Sequence, residues 1–367
     1  MAAPLILVSC SPGEQRTALW QDGRLEAAFI ERPARPEGIG DLHVGRVAAR
    51  APAMAGVFVA LAGGETGFLP DSEGGKGRSE GEWLRVALTR AAQGGKGPRL
   101  ALRPGPAEAP LRLLARGPDA PLRLAARHPD ATLHTDSPAC AARLRAALPA
   151  GRVALSTGPA FDEEVEEAFA VLAAPEVALP GGGRLTIHPT PALVAIDIDA
   201  GGAAGGRDAA AHRALNARAL EEAARQIRLR HLAGAILIDM AGMSVARRKD
   251  LLPGFLEVAR RDPLLRVVGL TGLGLLELQR RRIHMPLHEV LGLPPTPLSR
   301  GLAALRRGLR AARARPGARL ALTAAPGVLA ALEAWPGALE EFRQAAGPLI
   351  LRPDPLCPPG QEDIHAE

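Results

Sequence analysis

Aromatic residues are scarce in this 367-residue chain, which has seven Phe, three Trp and no Tyr. Cysteine is scarcer still. Cys10, Cys140 and Cys357 are scattered and offer neither a disulfide framework nor a Cys-x-x-Cys site, so a reducing cytoplasm fits best. Lysine is confined to Lys76, Lys96 and Lys249 among 45 basic residues. No apolar run approaches the length needed to span a bilayer. The opening MAAPLILVSCSPGE lacks the basic start and long apolar stretch of an export signal. A soluble, cytoplasmic protein with no membrane partner is expected.

Ala, Gly, Pro and Arg dominate. The length is enough for two or three domains with a large core. A net charge of +6 and a pI near 10.1 suit a polyanionic partner. The Arg-for-Lys bias has a second reading, mutational pressure on composition, and charge alone does not separate an RNA footprint from a solvating surface.

Chemistry concentrates in two segments. In ALVAIDIDAGG (192–202), Val194, Ile196 and Ile198 alternate with Asp197 and Asp199, as on a strand with one apolar face. In GAILIDMAGM (234–243), the run Ala235–Ile238 reads as a strand buried on both faces and stops at Asp239. Between them, residues 208–231 place Leu215, Leu220, Ala223, Ala224 and Ile227 at helical spacing. Strand, helix and strand make a βαβ unit with parallel strands. Asp197 and Asp239 then emerge at the same carboxyl edge, where open α/β sheets hold their sites. Two such carboxylates, with no Cys or His beside them, suit Mg²⁺ or Mn²⁺. An Asp after a strand also serves as a helix cap or turn opener, and the pattern leaves both readings open.

Elsewhere the chain divides by composition. Residues 4–31 read as strands around the Asp22-Gly23 turn, and the Pro-rich stretch 33–38 ends them. Short Gly-punctuated strands over 40–103 suit a small barrel. Over 105–178, PLRLAAR, ATLHT and RVALST are strand-like, while helices begin after Ser137 and Asp162. Glu163, Glu164, Glu166 and Glu167 read as a solvated helix face. Beyond Asp239 the expected order is a helix (about 245–261), a strand (LLRVVGL), a helix (LGLLELQRRR) and a helix (PLSRGLAALRRGLRAARA). The strand ARLALTA, a helix at 326–334 and the strand PLILRP follow, and the tail from Pro353 reads as extended or disordered.

The run LPGGGRLTIHPTPALVAIDIDA (179–200), with ARQIRLRHLAGAILIDMAGM (224–243) and GLGLLELQRRR (272–282), resembles the catalytic core of the ribonuclease E/G family. RTALWQDGRLEAAFIER resembles that family's opening hairpin, and GDLHVGRVAARAPAMAGVFVALAGGETGFLP its OB-fold RNA-binding domain. The resemblance implies an α/β (α+β multidomain) chain. Residues 1–38 would be the hairpin of an RNase H-like subdomain, 39–104 an inserted OB-fold, and 105–179 the remainder of that subdomain. Residues 180–352 would be a DNase I-like catalytic subdomain and 353–367 a tail. It further implies that Phe58 and Phe68 stack RNA bases and that Lys96, with Arg228 or Arg230, approaches the backbone. Spacing alone equally allows both rings to be barrel core.

The chain departs from the family in ways that bear on function. Arg103-Pro104-Gly105 runs almost directly into PLRLLAR, leaving no room for an inserted 5′-end sensor, so stimulation by a 5′-monophosphate should be weak or absent. GLPPTP (292–297) stands where the family has a Cys-Pro-x-Cys zinc link. Zinc is not expected, although two chains could still pair through other contacts. Asp199 replaces the family's Asn, and Asp199 could add a metal ligand. Gly242 replaces the family's second Asp, Gly272 an Arg, and AGGAAGG (200–206) a stretch carrying Arg. A long C-terminal scaffold for a degradation complex is not expected.

The expected activity is Mg²⁺-dependent endoribonucleolytic cleavage of single-stranded RNA, leaving 5′-phosphate and 3′-hydroxyl ends, with Asp197 and Asp239 as catalytic metal ligands. The alternative is an RNA-binding relative that has lost turnover, which loss of the flanking Arg residues favours. A nucleotide-binding enzyme is suggested only by GGAAGG at 201–206, which lacks both G-x-G-x-x-G and a Walker lysine. His188 lies just before the acid strand, and His284 and His288 are spaced i, i+4 with Pro286 between them; surface or structural roles are expected for all three.

Overall fold

The computed structural model describes residues 3–201, 209–315 and 317–366. The AGGAAGG stretch and its nucleotide-loop reading therefore fall largely outside the described residues. The protein is mixed α+β, and its contacts divide it into two compact units. One comprises 1–36, 120–174 and 290–367; the other comprises 37–119 and 175–289.

The chain opens with strands β1 (Leu5–Ser11), β2 (Glu14–Gln21) and β3 (Arg24–Glu31), an antiparallel meander. Asp22 and Gly23 both have positive φ, as the two-residue turn between β2 and β3 requires. Next come β4 (Leu42–Ala51), β5 (Gly56–Ala60), β6 (Thr66–Pro70), β7 (Trp83–Arg90), β8 (Arg99–Leu102) and β9 (Arg112–Ala115). They pair in the order β5-β6-β8-β7-β4, and β4 also pairs with β5, which closes a five-stranded barrel. The order and the parallel β6–β8 contact are those of an OB-like barrel. Val47, Val57, Val59, Leu69, Val86 and Leu100 fill its interior. β9 extends the barrel sheet beside β4, past the boundary expected at 104.

Helix α1 (Ala120–Arg127), β10 (Thr132–Thr135), α2 (Pro138–Ala147), β11 (Val153–Leu155) and α3 (Glu163–Val171) follow. β10 and β11 join the first sheet in the order β11-β10-β1-β2-β3, with β1, β10 and β11 parallel. Ser137 and Asp162 cap α2 and α3 through their side chains, as expected. PLRLAAR is helical, not a strand. It buries Pro121, Leu124 and Ala125, a helical spacing that the Leu122/Leu124 alternation masks. Glu166 is not part of a solvated face, since it receives the Arg16 guanidinium at 2.8 and 2.5 Å and also pairs with Arg310.

The second unit continues with β12 (Glu176–Ala178), β13 (Arg184–Pro189), β14 (Val194–Asp199), α4 (Ala209–Leu229), β15 (Gly234–Asp239), α5 (Val245–Arg248), α6 (Leu252–Ala259), β16 (Leu265–Leu270), β17 (Leu276–Arg280) and α7 (Leu287–Leu291, which runs past this unit's boundary). The sheet order is β12-β13-β14-β15-β17-β16. Residues 276–280 form a strand where a helix was expected. Leu276 and Leu278 are buried and alternate with Glu277 and Gln279, the period of a strand. Leu215, Leu220, Ala223, Ala224 and Ile227 of α4, with Phe255 of α6, pack on one face of this sheet.

The chain ends with α8 (Pro297–Ala314), β18 (Leu320–Ala324), α9 (Pro326–Ala334), α10 (Ala338–Ala346), β19 (Leu349–Pro353) and β20 (Asp363–Ala366). β18 pairs with β19 in parallel and with β20 antiparallel, so the tail is partly ordered. Residues 290–367 belong to the first unit, whereas the sequence reading carried the third subdomain through 352.

Two histidines give stability a pH dependence. Burial lowers the pKa values of His43 and His288 below 6.5, and the Nδ1 atom of each is buried without a hydrogen-bond partner. Unfolding lets both take up protons, so their contribution is complete above pH 6.5 and is lost as pH falls through the lowered folded-state values. Urea midpoints should fall from pH 7.5 to 5.5, and His288→Asn should flatten that slope.

Candidate active site

β14 and β15 are parallel neighbours, and their register sets Asp197 directly beside Asp239. Adjacent strands lie about 4.8 Å apart and side-by-side residues share a face, so the two carboxylates leave the sheet together at its carboxyl edge. The βαβ reading placed them there. Ile196, Ile198, Ile236 and Ile238 point the other way into the core, at 0–3% exposure. That apolar face holds the strands in register while Asp197 and Asp239 stay exposed to water. Asp199 shares their face two residues on, and Arg184 holds it at 3.0 Å; its Oδ1 also accepts the Gly201 N–H at 2.9 Å.

The sequence reading did not single out Arg248. Its side chain is mostly buried at the end of α5, and Nη1 donates to Asp239 Oδ1 at 3.0 Å and to the Gly274 carbonyl at 2.9 Å. Nη2 and Nε reach the Met240 and Met243 carbonyls at 2.6 and 3.1 Å. The guanidinium ties the loop after β15 to the loop before β17 and fixes one oxygen of Asp239. Gly274 permits this approach: its φ is +82°, and a Cβ there would meet Val245 at 2.8 Å. Fully buried Asn216 on α4 steadies the same loop, donating to the Ala241 carbonyl at 2.8 Å and accepting the Ala241 N–H at 3.0 Å. Gly242, where the resemblance places a second Asp, has φ +59° and lies under the His212 ring, 2.6 Å from where a Cβ would stand. No side chain fits there without displacing that ring.

Phe58 and Phe68 are registered partners on β5 and β6, with ring centroids 5.5 Å apart at 61°. Both are half-buried, and neither belongs to the barrel interior that their neighbours Val57, Val59 and Leu69 fill. The rings form one aromatic step on the outer wall, so the barrel-core reading does not hold. Lys96 is exposed at a tight turn closed by reciprocal backbone bonds with Gln93 at 3.1 Å.

Arg228 and Arg230 do not join the acid pair. α4 begins beyond the carboxyl end of β14 and returns to the amino end of β15, so both arginines sit at the opposite edge of the sheet. Arg230 is also buried at 6% exposure, bonded to Gln226 at 2.8 Å, with its pKa lowered to about 10 by that burial. Other arginines cluster within this unit. A pocket of about 750 Å³ within this unit is lined by Arg90 and Arg99 of the barrel and by Arg266, Arg281 and Arg282 of the sheet. Glu73 is the one acid among its described lining residues, and burial, with Arg99 and Arg282 nearby, lowers the pKa of Arg90. Sequence spacing hides this cluster, because its members come from four separate segments.

Among the described residues, no group of three or more His, Cys, Asp or Glu is arranged to hold a metal. His284 is committed to Glu37 at 2.9 Å, and His188 is exposed on β13. The Asp197–Asp239 pair by itself fits a hard cation of the Mg²⁺ type, which binds through one or two carboxylates and completes its shell with water and substrate phosphate. No helix among the described residues is long and apolar enough to cross a membrane.

Residues 147–283 match the model of the ribonuclease E/G family. Ribonuclease E of Nostoc is 38% identical over 123 residues, covering 32% of this chain and 18% of the relative. Ribonuclease E of Escherichia coli is 35% identical over 142 residues, covering 38% and 13%. The chloroplastic ribonuclease E/G-like protein of Arabidopsis thaliana is 34% identical over 131 residues, covering 34% and 13%. The chain thus spans less than a fifth of the length of these relatives. Residues 147–283, the segment similar to the ribonuclease E/G family, contain both aspartates of the registered pair.

Proposed function

We propose that this chain is an endoribonuclease of RNA processing or decay that hydrolyses single-stranded RNA at Asp197 and Asp239. One observation carries the reading: within the family-matched segment, the two carboxylates are register partners on parallel strands and both face water. Asp197 and Asp239 would hold a Mg²⁺ or Mn²⁺ ion, and Asp199 would become available on release from Arg184. Bound there, such an ion neutralises charge on the scissile phosphate and lowers the pKa of a coordinated water. The chain's own residues supply the rest. Arg248 keeps Asp239 in one rotamer, and Phe58 and Phe68 stack unpaired bases. Lys96 and the arginine pocket neutralise backbone phosphates. Hydrolysis would leave 5′-phosphate and 3′-hydroxyl ends.

A fluorogenic single-stranded RNA incubated with Mg²⁺ or with EDTA tests this reading. Cleavage in Mg²⁺ alone, lost in Asp197→Asn and Asp239→Asn, is expected. Retained RNA affinity with no turnover in any variant would replace it with the binding-only reading, which the absent third acid at Gly242 favours.

Binding makes its own prediction. Phe68→Ala should weaken single-stranded RNA binding by roughly 5- to 150-fold, the range of one lost base stack. Arg282→Ala should reduce the salt dependence of the association constant by about 0.7 in log–log slope. Fluorescence anisotropy at several salt concentrations reads both.

A further inference from the structure

Cys10 lies near the end of β1 and Cys140 in the first turn of α2, and the first unit brings them together. Both sulfurs approach the same Gln15 Oε1, at 4.0 Å from Cys10 and 3.9 Å from Cys140. Arg143, one turn beyond Cys140, reaches that sulfur at 3.6 Å and Gln15 Oε1 at 3.3 Å. The two thiols share one acceptor and have divided roles. Cys140 is drawn down to about 6, first by the bond from Cys10, then by Thr135 and the Arg143 guanidinium, against the opposing effect of burial. Cys10 is pushed up by its bond to Cys140, by burial and by Asp136. The shifts favour the charged form at Cys140 and the neutral form at Cys10. Cys140 is buried, while Cys10 is partly exposed and marks the side open to solvent.

We propose that Cys10 and Cys140 are a peroxide-reactive pair that closes to a disulfide joining β1 to α2. A low-pKa cysteine beside a second, resolving cysteine is the arrangement found at redox-sensing sites. The Cys140 thiolate attacks one oxygen of hydrogen peroxide; an S–O bond forms, the O–O bond breaks and hydroxide leaves. The Cys10 sulfur then attacks the Cys140 sulfenic acid; the S–S bond forms, the S–O bond breaks, and the Cys10 proton leaves with the departing oxygen as water. Peroxide gains two electrons, and the two thiols lose them. Cys357 is an internal control, because among the described residues its sulfur bonds to the Pro358 and Gln361 carbonyls, at 3.7 and 3.6 Å, and to no second thiol.

The test treats the full chain with stoichiometric hydrogen peroxide and maps peptides without reduction. The expected result is a Cys10–Cys140 cross-linked peptide with Cys357 still free. In Cys10→Ser, Cys140 should stop at a dimedone-trappable sulfenic acid. Arg143→Ala keeps both thiols and alters only an exposed side chain. It should raise the pH at which iodoacetamide half-maximally modifies Cys140 and should slow disulfide closure. Three thiols that react alike, or a disulfide formed only between Cys357 residues of two chains, would overturn the proposal.

Discussion

Asp239→Asn should lower the rate of RNA cleavage by on the order of 10³-fold while leaving RNA affinity within a factor of two or so. The estimate is the loss expected when a charged group acting on the transition state is neutralised without a change of shape. Asparagine preserves the Arg248 contact through its carbonyl oxygen, so the loop geometry survives and the missing charge is what the assay reads. Asp197→Asn should behave alike, because register makes the two residues equivalent neighbours. Asp199→Asn should cost much less. Its carboxylate is engaged by Arg184, and its replacement is the residue the family resemblance places there. A comparable loss in all three variants would point to a nonspecific electrostatic effect. Single-turnover kinetics with saturating RNA separates these cases.

The second large effect concerns stability. Glu14 on β2 is almost fully buried and accepts Arg306 at 2.8 Å and Arg32 at 3.2 Å. Burial lowers the pKa of Arg306 to about 10, a sign of how poorly solvated that guanidinium is. Glu14→Ala leaves two cations without their counter-charge and should destabilise the protein by about 3–5 kcal/mol, the usual penalty for breaking a buried ion pair on one side. Glu14→Gln, which keeps the shape, should recover only part of this. Equilibrium urea denaturation measures the loss. A change below about 1 kcal/mol would show that water reaches the arginines and that the pair behaves as a surface bridge.

What could be read from the sequence followed the range of the interactions involved. The acid pair was legible because a βαβ unit encodes it locally: alternation in β14, helical spacing in α4 and an apolar run in β15 together specify a shared edge. The capping residues Ser137 and Asp162 were legible for the same reason. Residues 276–280 were misread as helix because Leu275, Leu276 and Leu278 followed by arginines satisfy either period. Pairing with both β15 and β16 settles them as a strand. β20 depends on an edge of β18 some forty residues earlier in the chain, a long-range pairing with no local signature. Arg248, Glu166 and the Cys10–Cys140 pair were missed because each acquires its role from a partner on another element. A charged residue on a helix looks the same whether it meets water or a buried counter-charge.

Catalysis as proposed requires that Asp197 and Asp239 act as one hydrolytic centre. The measurement is single-turnover cleavage of a single-stranded RNA in Mg²⁺ by the wild type, the two single Asn variants and the double variant. If both carboxylates serve one centre, the double variant loses no more rate than the more damaged single one, and EDTA reduces the wild type to that same level. If the two losses multiply, or if wild-type cleavage persists in EDTA, the registered pair is not the catalytic centre.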